Sequence, residues 1–457
     1  MKRPSNNSKK GGAKAKGAPA AKKAKVNDAA FDWGENNIAS DAEDSEDEAK
    51  APAEDEEDPY AHETADETRV RLAKAYLGKL KDTMDEDDGS DAEADARVSS
   101  QLDRDVQEAS GKLFTQVAAK FSAFEFDEES SKYLSGHKAP VSAVAAAEDG
   151  KTIYSAAKDG SLLKWSLSAD GITKVRMELP KTEDAAKGKK AVPDHKKTVL
   201  ALAVSSDGKF VASGGVDKLL HVWDSETSSL LESFSGHRDA ISALAFRKKS
   251  HMLFSGSFDR TVKHWNLTEM GYVETLFGHQ NEITGIDCLQ KDRVVSCGRD
   301  ASVRLWKIPE ETQLVFHGTG SIDCIAMVTD EYYVTGDDLG AIALWFNGKK
   351  KAAHVVHGAH GKKWVSAVAV LPRTDLVATG SSDGFVRLWR ANLQTRKLEL
   401  VASIPVPGFV NSLSFPKDGR YLVAGVGKEH RLGRWEVQKQ AKNGVVIIAL
   451  PSLDDDA

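Results

Sequence analysis

A unit of about 40–45 residues recurs along this chain, and the recurrence restricts its fold more than any other property. The fullest copy, GHRDAISALAFRKKSHMLFSGSFDRTVKHW, runs from Gly236 to Trp265. A Gly-His pair opens it, an alternating strand follows, and a second strand reaches Ser255. A turn then carries Asp259, and a third strand ends at Trp265. The layout returns with tryptophans at Trp165, Trp223, Trp265, Trp306, Trp345, Trp389 and Trp435. Short strands and turns at this period predict an all-β, seven-bladed β-propeller.

Five copies share a constant offset: a hydroxyl four residues before an Asp, and a Trp six after it. The sets are His137, Ser155, Asp159 and Trp165; His195, Ser213, Asp217 and Trp223; His237, Ser255, Asp259 and Trp265; His279, Ser296, Asp300 and Trp306; and His360, Thr379, Asp383 and Trp389. The pattern resembles the WD40 repeat, and the resemblance implies a hydrogen-bonded chain of these four side chains inside each blade. A buried His–Asp pair is costly unless every group is satisfied, and once satisfied it fixes one register. These residues therefore read as scaffold, not as catalytic groups. Two copies depart. The fifth has His317-Gly318 in inverted order and Leu339 where the Asp is due. The seventh has no Gly-His, and Glu429 replaces the Asp.

Seven blades need roughly 300 residues at this period, fewer than the 457 present. The expected organisation is a disordered basic then acidic tail over 1–61, helical segments with an acidic linker over 62–129, and the WD40 β-propeller over 130–457. Residues 1–129 hold 19 basic and 32 acidic residues, whereas the remainder holds 43 basic and 37 acidic. A mildly basic propeller behind a charged tail points to an interaction protein, with a polyanion as a reasonable partner. The first 25 residues carry nine Lys or Arg and no acid; KRPSNNSKK and AAKKAK read as nuclear localisation clusters or a nucleic-acid arm. Ser40 and Ser45 precede acids, as substrates of acidophilic kinases do. Thr64-Ala-Asp-Glu67 is a capping box before a helical stretch to about Lys81, with Val70, Ala73, Leu77 and Leu80 on one stripe. A second helical pattern includes Val98, Leu102, Val106, Leu113, Val117 and Phe121. Either Lys132–Leu134 or Val445–Leu450, or both, could close the last blade.

The chemistry of an enzyme is missing from the pattern. Ala424-Gly-Val-Gly-Lys-Glu429 lacks the first Gly and the final Ser/Thr of a phosphate loop. Cys288, Cys297 and Cys324 have no CxxC spacing, so neither a disulfide framework nor a metal site follows, and buried thiols are expected. No catalytic residue, metal, cofactor or small-molecule substrate is expected. No apolar run is long enough for a membrane span, and the N-terminus has no apolar signal region.

In a propeller of this type the Gly-His loop and the Asp turn share one face. Residues beside them there are Lys138, Lys158, Lys196, Lys197, Lys218, Arg238, Arg260 and Arg299, with Lys428, His430, Arg431 and Arg434 in the seventh copy. A lysine-rich insertion between copies one and two adds Lys181, Lys187, Lys189 and Lys190. Blades seven and one to four would thus form a basic arc suited to phosphate contacts.

Several stretches resemble one family. They include TRVRLAKAYLGKLK at 68–81, SAAKDGSLLKWS at 155–166, LWKIPEETQLVFHG at 305–318 and LVAGVGKEHRLGRW at 422–435. The family is that of the WD-repeat proteins of the U3 small nucleolar ribonucleoprotein. The resemblance implies a non-enzymatic protein of the nucleus and nucleolus. It would bind the box B/C element of U3 small nucleolar RNA beside a kink-turn-binding protein. It would act in the small-subunit processome, with other processome proteins and pre-rRNA, in 18S rRNA maturation. Carried onto this sequence, it places RNA contacts at Lys428 to Arg434 and at the turn from Ser155 to Asp159. The rival readings are a chromatin- or histone-binding scaffold, which predicts an acidic face, and a ubiquitin-ligase substrate receptor, which predicts a peptide pocket.

Overall fold

The structure, a computed structural model, describes residues 114–123, 126, 131–168, 171–177 and 198–451, with Arg71, Lys74, Ser99, Leu102 and Gln107. The chain divides into two units, Met1–Gly78 and Lys79–Ala457. In the first, Arg71 and Lys74 are helical. In the second, Ser99, Leu102 and Gln107 are helical; the charged tail over 1–61, the stripe before Lys81 and the insertion over 180–197 lie outside the described residues. In the second unit, seven four-stranded antiparallel sheets form the blades of a β-propeller.

Blade one consists of Val141–Ala146, Thr152–Ala157, Leu162–Ser168 and Gly171–Met177, from the inside outward. Blades two to six span 199–234, 241–277, 283–317, 322–356 and 365–405 in the same order. Blade seven takes three strands from the C-terminal end, Phe409–Ser414, Tyr421–Gly427 and Gly444–Ala449. Its outer strand is Ser131–Leu134, which pairs with the third strand from Ser131↔Ile448 to Leu134↔Val445. Both candidate closing segments therefore contribute, and the ring is closed by joining the two ends of the propeller.

The seventh tryptophan does not occupy the expected place. Blade seven's third strand is the apolar run after Gly444, in register with Tyr421–Gly427, whereas Trp435 lies in the intervening loop and is 58% exposed. The physical reason is burial: Val445 and Ile448 are fully buried in the sheet, and Lys428–Trp435 offers no comparable alternation of apolar side chains.

Each inner strand carries a bulge near its start, where the register shifts by one residue. A bulge re-aims a side chain, and here it points the extra residue toward the next blade. Ser142, Ser242, Thr284 and Ser366 donate hydroxyl hydrogen bonds of 2.5, 2.5, 2.5 and 2.6 Å to Val199, Ile283, Ile322 and Val410 carbonyls. Asn411 Nδ2 makes the corresponding bond for blade seven by donating to the Val141 carbonyl at 2.8 Å, across the seam between blades seven and one; in blades two and five the bulged residues are Leu200 and Asp323. The second strands are fitted to the same neighbours. A Cβ on Gly256 would lie 2.8 Å from Ile283, and one on Gly380 2.4 Å from Val410. Glycine is needed there so that the next blade's branched side chain can seat.

Residues 114–123 strap the side of blade six. Thr115 bridges to Thr374, and the Asp375 carboxylate accepts the Val117 and Ala118 N–H groups at 2.7 and 2.9 Å. The expected helical pattern ends as a 3-10 helix, Ala118–Ala123, whose Phe121 is fully buried among apolar residues of blades six and seven. Phe121→Ala should lower stability by about 3–5 kcal/mol, read as a fall in the thermal midpoint of the full chain.

Candidate nucleic-acid interface

The tryptophan Nε1–H of every blade from one to six donates to a hydroxyl on the second strand at 2.8 Å. The acceptors are Ser155, Ser213, Ser255, Ser296, Thr335 and Thr379. In blades three, four and six the same hydroxyl meets His Nε2, and His Nδ1 meets the Asp. His237–Asp259, His279–Asp300 and His360–Asp383 are 2.9, 2.9 and 3.0 Å apart. Burial acts against the Asp259 carboxylate, but hydrogen bonds from His237, Thr261 and the Arg238 N–H outweigh it and hold its pKa low.

Blade one differs. His137 Nδ1 meets Ser161 Oγ at 2.7 Å, and Ser161 in turn donates to Asp159 at 2.6 Å, so a hydroxyl is interposed. Burial pushes the His137 pKa down to about 4. In blade two, His195 lies outside the described residues, and Asp217 is 3.6 Å from His221. Blade five keeps the Thr335–Trp345 bond, while Leu339 projects into solvent. The three cysteines are free and buried, and burial raises the Cys297 thiol pKa to about 12. Among the described residues, no cluster of His, Cys, Asp and Glu could hold a metal ion.

The scaffold fixes the cations beside it. Asp259 accepts the Arg238 backbone N–H at 2.8 Å, and Arg260 follows it in the turn. Lys218 and Arg260 both adopt a left-handed backbone, φ 69°, at the position where blades one, five and six have Gly160, Gly340 and Gly384. The Lys218 ammonium reaches the Arg238 carbonyl at 2.7 Å, so blades two and three present neighbouring charges. Lys218, Arg238 and Arg260 are exposed, as are Lys138, Lys428 and Arg434. Asn443 ties Lys138 to Lys428 by bonding the backbone of both. Arg299 is more constrained: it pairs with Glu282 at 2.5 Å and lies over the Phe258 ring. Lys189, Lys190, Lys196 and Lys197 are outside the described residues.

Three of the expected cationic contacts are placed differently. Lys158 is largely buried; its ammonium bonds Glu429 Oε1 at 2.8 Å and the His430 carbonyl at 3.2 Å. His430 is 3% exposed and stacks on Trp364 at 4.4 Å. Burial, with help from Arg431, pushes its pKa down to about 3, so it is a neutral ring. Arg431 turns into the central channel, a space of about 310 Å³, where it bonds the Thr284 and Asp323 carbonyls at 3.2 and 3.4 Å. The reason lies at blade five's bulge. Where four other blades place a hydroxyl, Asp323 supplies a carboxylate that is 2% exposed. Burial raises its pKa to about 7, against the pull of Arg431. Arg431 provides the opposite charge.

The loop between Gly427 and Gly444 thus caps the channel. Asn411, which closes the ring, also accepts the Arg431 N–H at 2.9 Å and donates to the Glu429 carbonyl at 3.2 Å. Gln438 donates to the Ser382 carbonyl at 2.6 Å, and Lys363 pairs with Glu436 at 2.8 Å. Trp364 donates its Nε1–H to Asp323. Sequence reading missed Asp323, Trp364 and Asn411. The available signal was the polar, non-alternating interval before Val445, which marks a long loop.

Two outcomes follow. Arg431→Ala leaves the buried Thr284 and Asp323 carbonyls without their donor, while the Asp323 carboxyl takes up a proton; it should cost about 1–3 kcal/mol, seen as a lowered thermal midpoint without any RNA present. For His430, the folded pKa of about 3 lies below the ordinary 6.5. The unfolded chain therefore binds a proton that the folded one refuses, and stability contributed above pH 6.5 is lost as pH falls toward 3. Replacing the ring, His430→Asn, should flatten the fall in thermal midpoint between pH 6.5 and 4.

Comparison with known proteins agrees with this architecture. The family described as WD domain, G-beta repeat matches residues 128–166, 188–224, 228–266, 271–307 and 352–390. Those are blades one to four and six, leaving out the two that depart. The chain is 42% identical to human U3 small nucleolar RNA-interacting protein 2 over 399 residues, 85% of this chain and 82% of that protein. It is 36% identical to a U3 snoRNP-associated protein-like protein of Arabidopsis thaliana, over 88% of this chain and 89% of its length. Among solved structures, the RRP9 WD40 repeats superpose with a TM-score of 0.67 at 44% identity, covering 72% of this chain and 99% of that one. With the cap, the closure and the repeats in place, the chain belongs to the WD-repeat family of U3 small nucleolar RNA-interacting and U3 snoRNP-associated proteins.

Proposed function

We propose that this chain is a non-catalytic, RNA-binding component of the U3 small nucleolar ribonucleoprotein and acts in ribosomal RNA processing in the nucleolus. It would bind the box B/C region of U3 RNA beside a kink-turn-binding protein, within the small-subunit processome that matures 18S rRNA. The observation that carries this reading is 42% identity to a U3 RNA-interacting protein over most of both chains. Its physical support is the exposed cluster of Lys218, Arg238 and Arg260 on fixed turns. Such cations contact phosphates and set position, while sequence is read by groups that reach bases. The histidines and aspartates that resemble catalytic pairs are committed to hydrogen bonds within the blades, which favours a binding role over a chemical one. An acid-lined face, expected of a histone-binding scaffold, is not what these turns present.

The test is binding of the full chain to box B/C RNA across a salt series, with the kink-turn protein present. Wild type should bind with a steep salt dependence. The triple variant Lys218→Ala, Arg238→Ala, Arg260→Ala should bind more weakly, and its log–log salt slope should fall by about 2. An unchanged slope would remove this cluster from the interface.

A further inference from the structure

Trp435 is held open to solvent by the fold around it. It is more than half exposed, yet its ring is fixed by three separate devices. His430 and Trp364 lie against it, with ring centroids 5.0 and 5.6 Å away. Gly433 leaves room for it, since a Cβ there would stand 2.0 Å from the indole. Trp364 is itself fixed by its hydrogen bond to the buried Asp323. Hydrophobic burial does not explain an indole held this way, because much of its surface stays in water.

The geometry distinguishes between possible occupants. Trp364 is inclined by 17° to Trp435 and by 21° to His430, and His430 by 38° to Trp435. Trp364 is thus nearly parallel to both other rings, and Trp435, tilted on His430, keeps more than half of its surface in solvent. A cage for a methylated ammonium would instead set its walls steeply around a centre. The neutral His430 adds no charge to the stack. At the rim of the adjoining hollow, of about 270 Å³, stand Lys362 and Lys363, with Asp338 and Glu436. Arg434, its side chain 77% exposed and its Nε 3.1 Å from Glu429 Oε2, adjoins Trp435 in sequence.

We propose that Trp435 is a stacking platform for one unpaired nucleobase of single-stranded RNA, with Lys362 and Arg434 placed to meet the flanking phosphates. This deepens the RNA-binding reading and rests on it. Stacking carries affinity without counterion release, so it separates from the cationic cluster by its salt signature.

The experiment uses the full chain and box B/C RNA, with Trp435→Ala, Trp435→Phe and the triple cation variant. Trp435→Ala should weaken binding about tenfold with an unchanged salt slope and a nearly unchanged thermal midpoint. Trp435→Phe, which keeps a ring, should recover most of the loss. Ultraviolet crosslinking of the wild-type complex should place RNA on the peptide that contains Trp435. If Trp435→Ala binds like wild type while the cation variant is impaired, the platform is refuted and the RNA reading stands. If wild type binds no RNA, the underlying reading fails instead. Binding of a trimethyllysine peptide that needs Trp435, with RNA affinity unaffected by its loss, would overturn the platform in favour of a cage.

Discussion

A propeller has no stable half-open form in which each blade still covers its neighbour, so everything described here depends on closing the ring. Several contacts close it, and two of them stand out. The strand Ser131–Leu134 pairs into blade seven, and Asn411 donates to Val141 across the gap. The second belongs to a set of side-chain bonds by which bulged residues of blades one, three, four, six and seven reach the next blade. Because the bulges aim these side chains, closure and channel geometry have one cause. Asn411 then extends closure into the cap by bonding Glu429 and Arg431.

Much of the propeller was legible in the sequence because its determinants are local. A hydroxyl ten residues before a Trp is enough to specify their contact, since both lie on adjacent strands of one hairpin. Blade five kept that bond after losing its Asp, which shows that the Trp–hydroxyl contact survives without the full four-residue chain. Trp435 marks no strand end, although its residue type and spacing predict one, because the burial of Val445 and Ile448 decides the register.

The candidate interface was legible only in part. Offset from a repeated layout of turns gives the location of a residue but not the direction of its side chain. Arg238 and Arg260 lie where the turn places them, while Arg431 is drawn inward to backbone carbonyls of Thr284 and Asp323, the latter 108 residues earlier in the chain. No local pattern reveals such a pairing. His430 illustrates the same limit: beside two arginines in spirit a basic residue, it is in the fold a neutral aromatic surface.

The backbone at Lys218 and Arg260 has one more consequence. A side chain in the left-handed region costs about 1–2 kcal/mol relative to glycine's freedom there, and three sister turns use glycine. Ala301 adopts the same conformation in blade four with no charge to show for it, so strain alone does not identify a functional residue. Where strain and an outward cation coincide, though, the ring is less stable than its own repeat would allow. Folding free energy and surface charge are in direct competition at these two turns, and a version of this protein optimised only for heat resistance would be expected to lose the charges first.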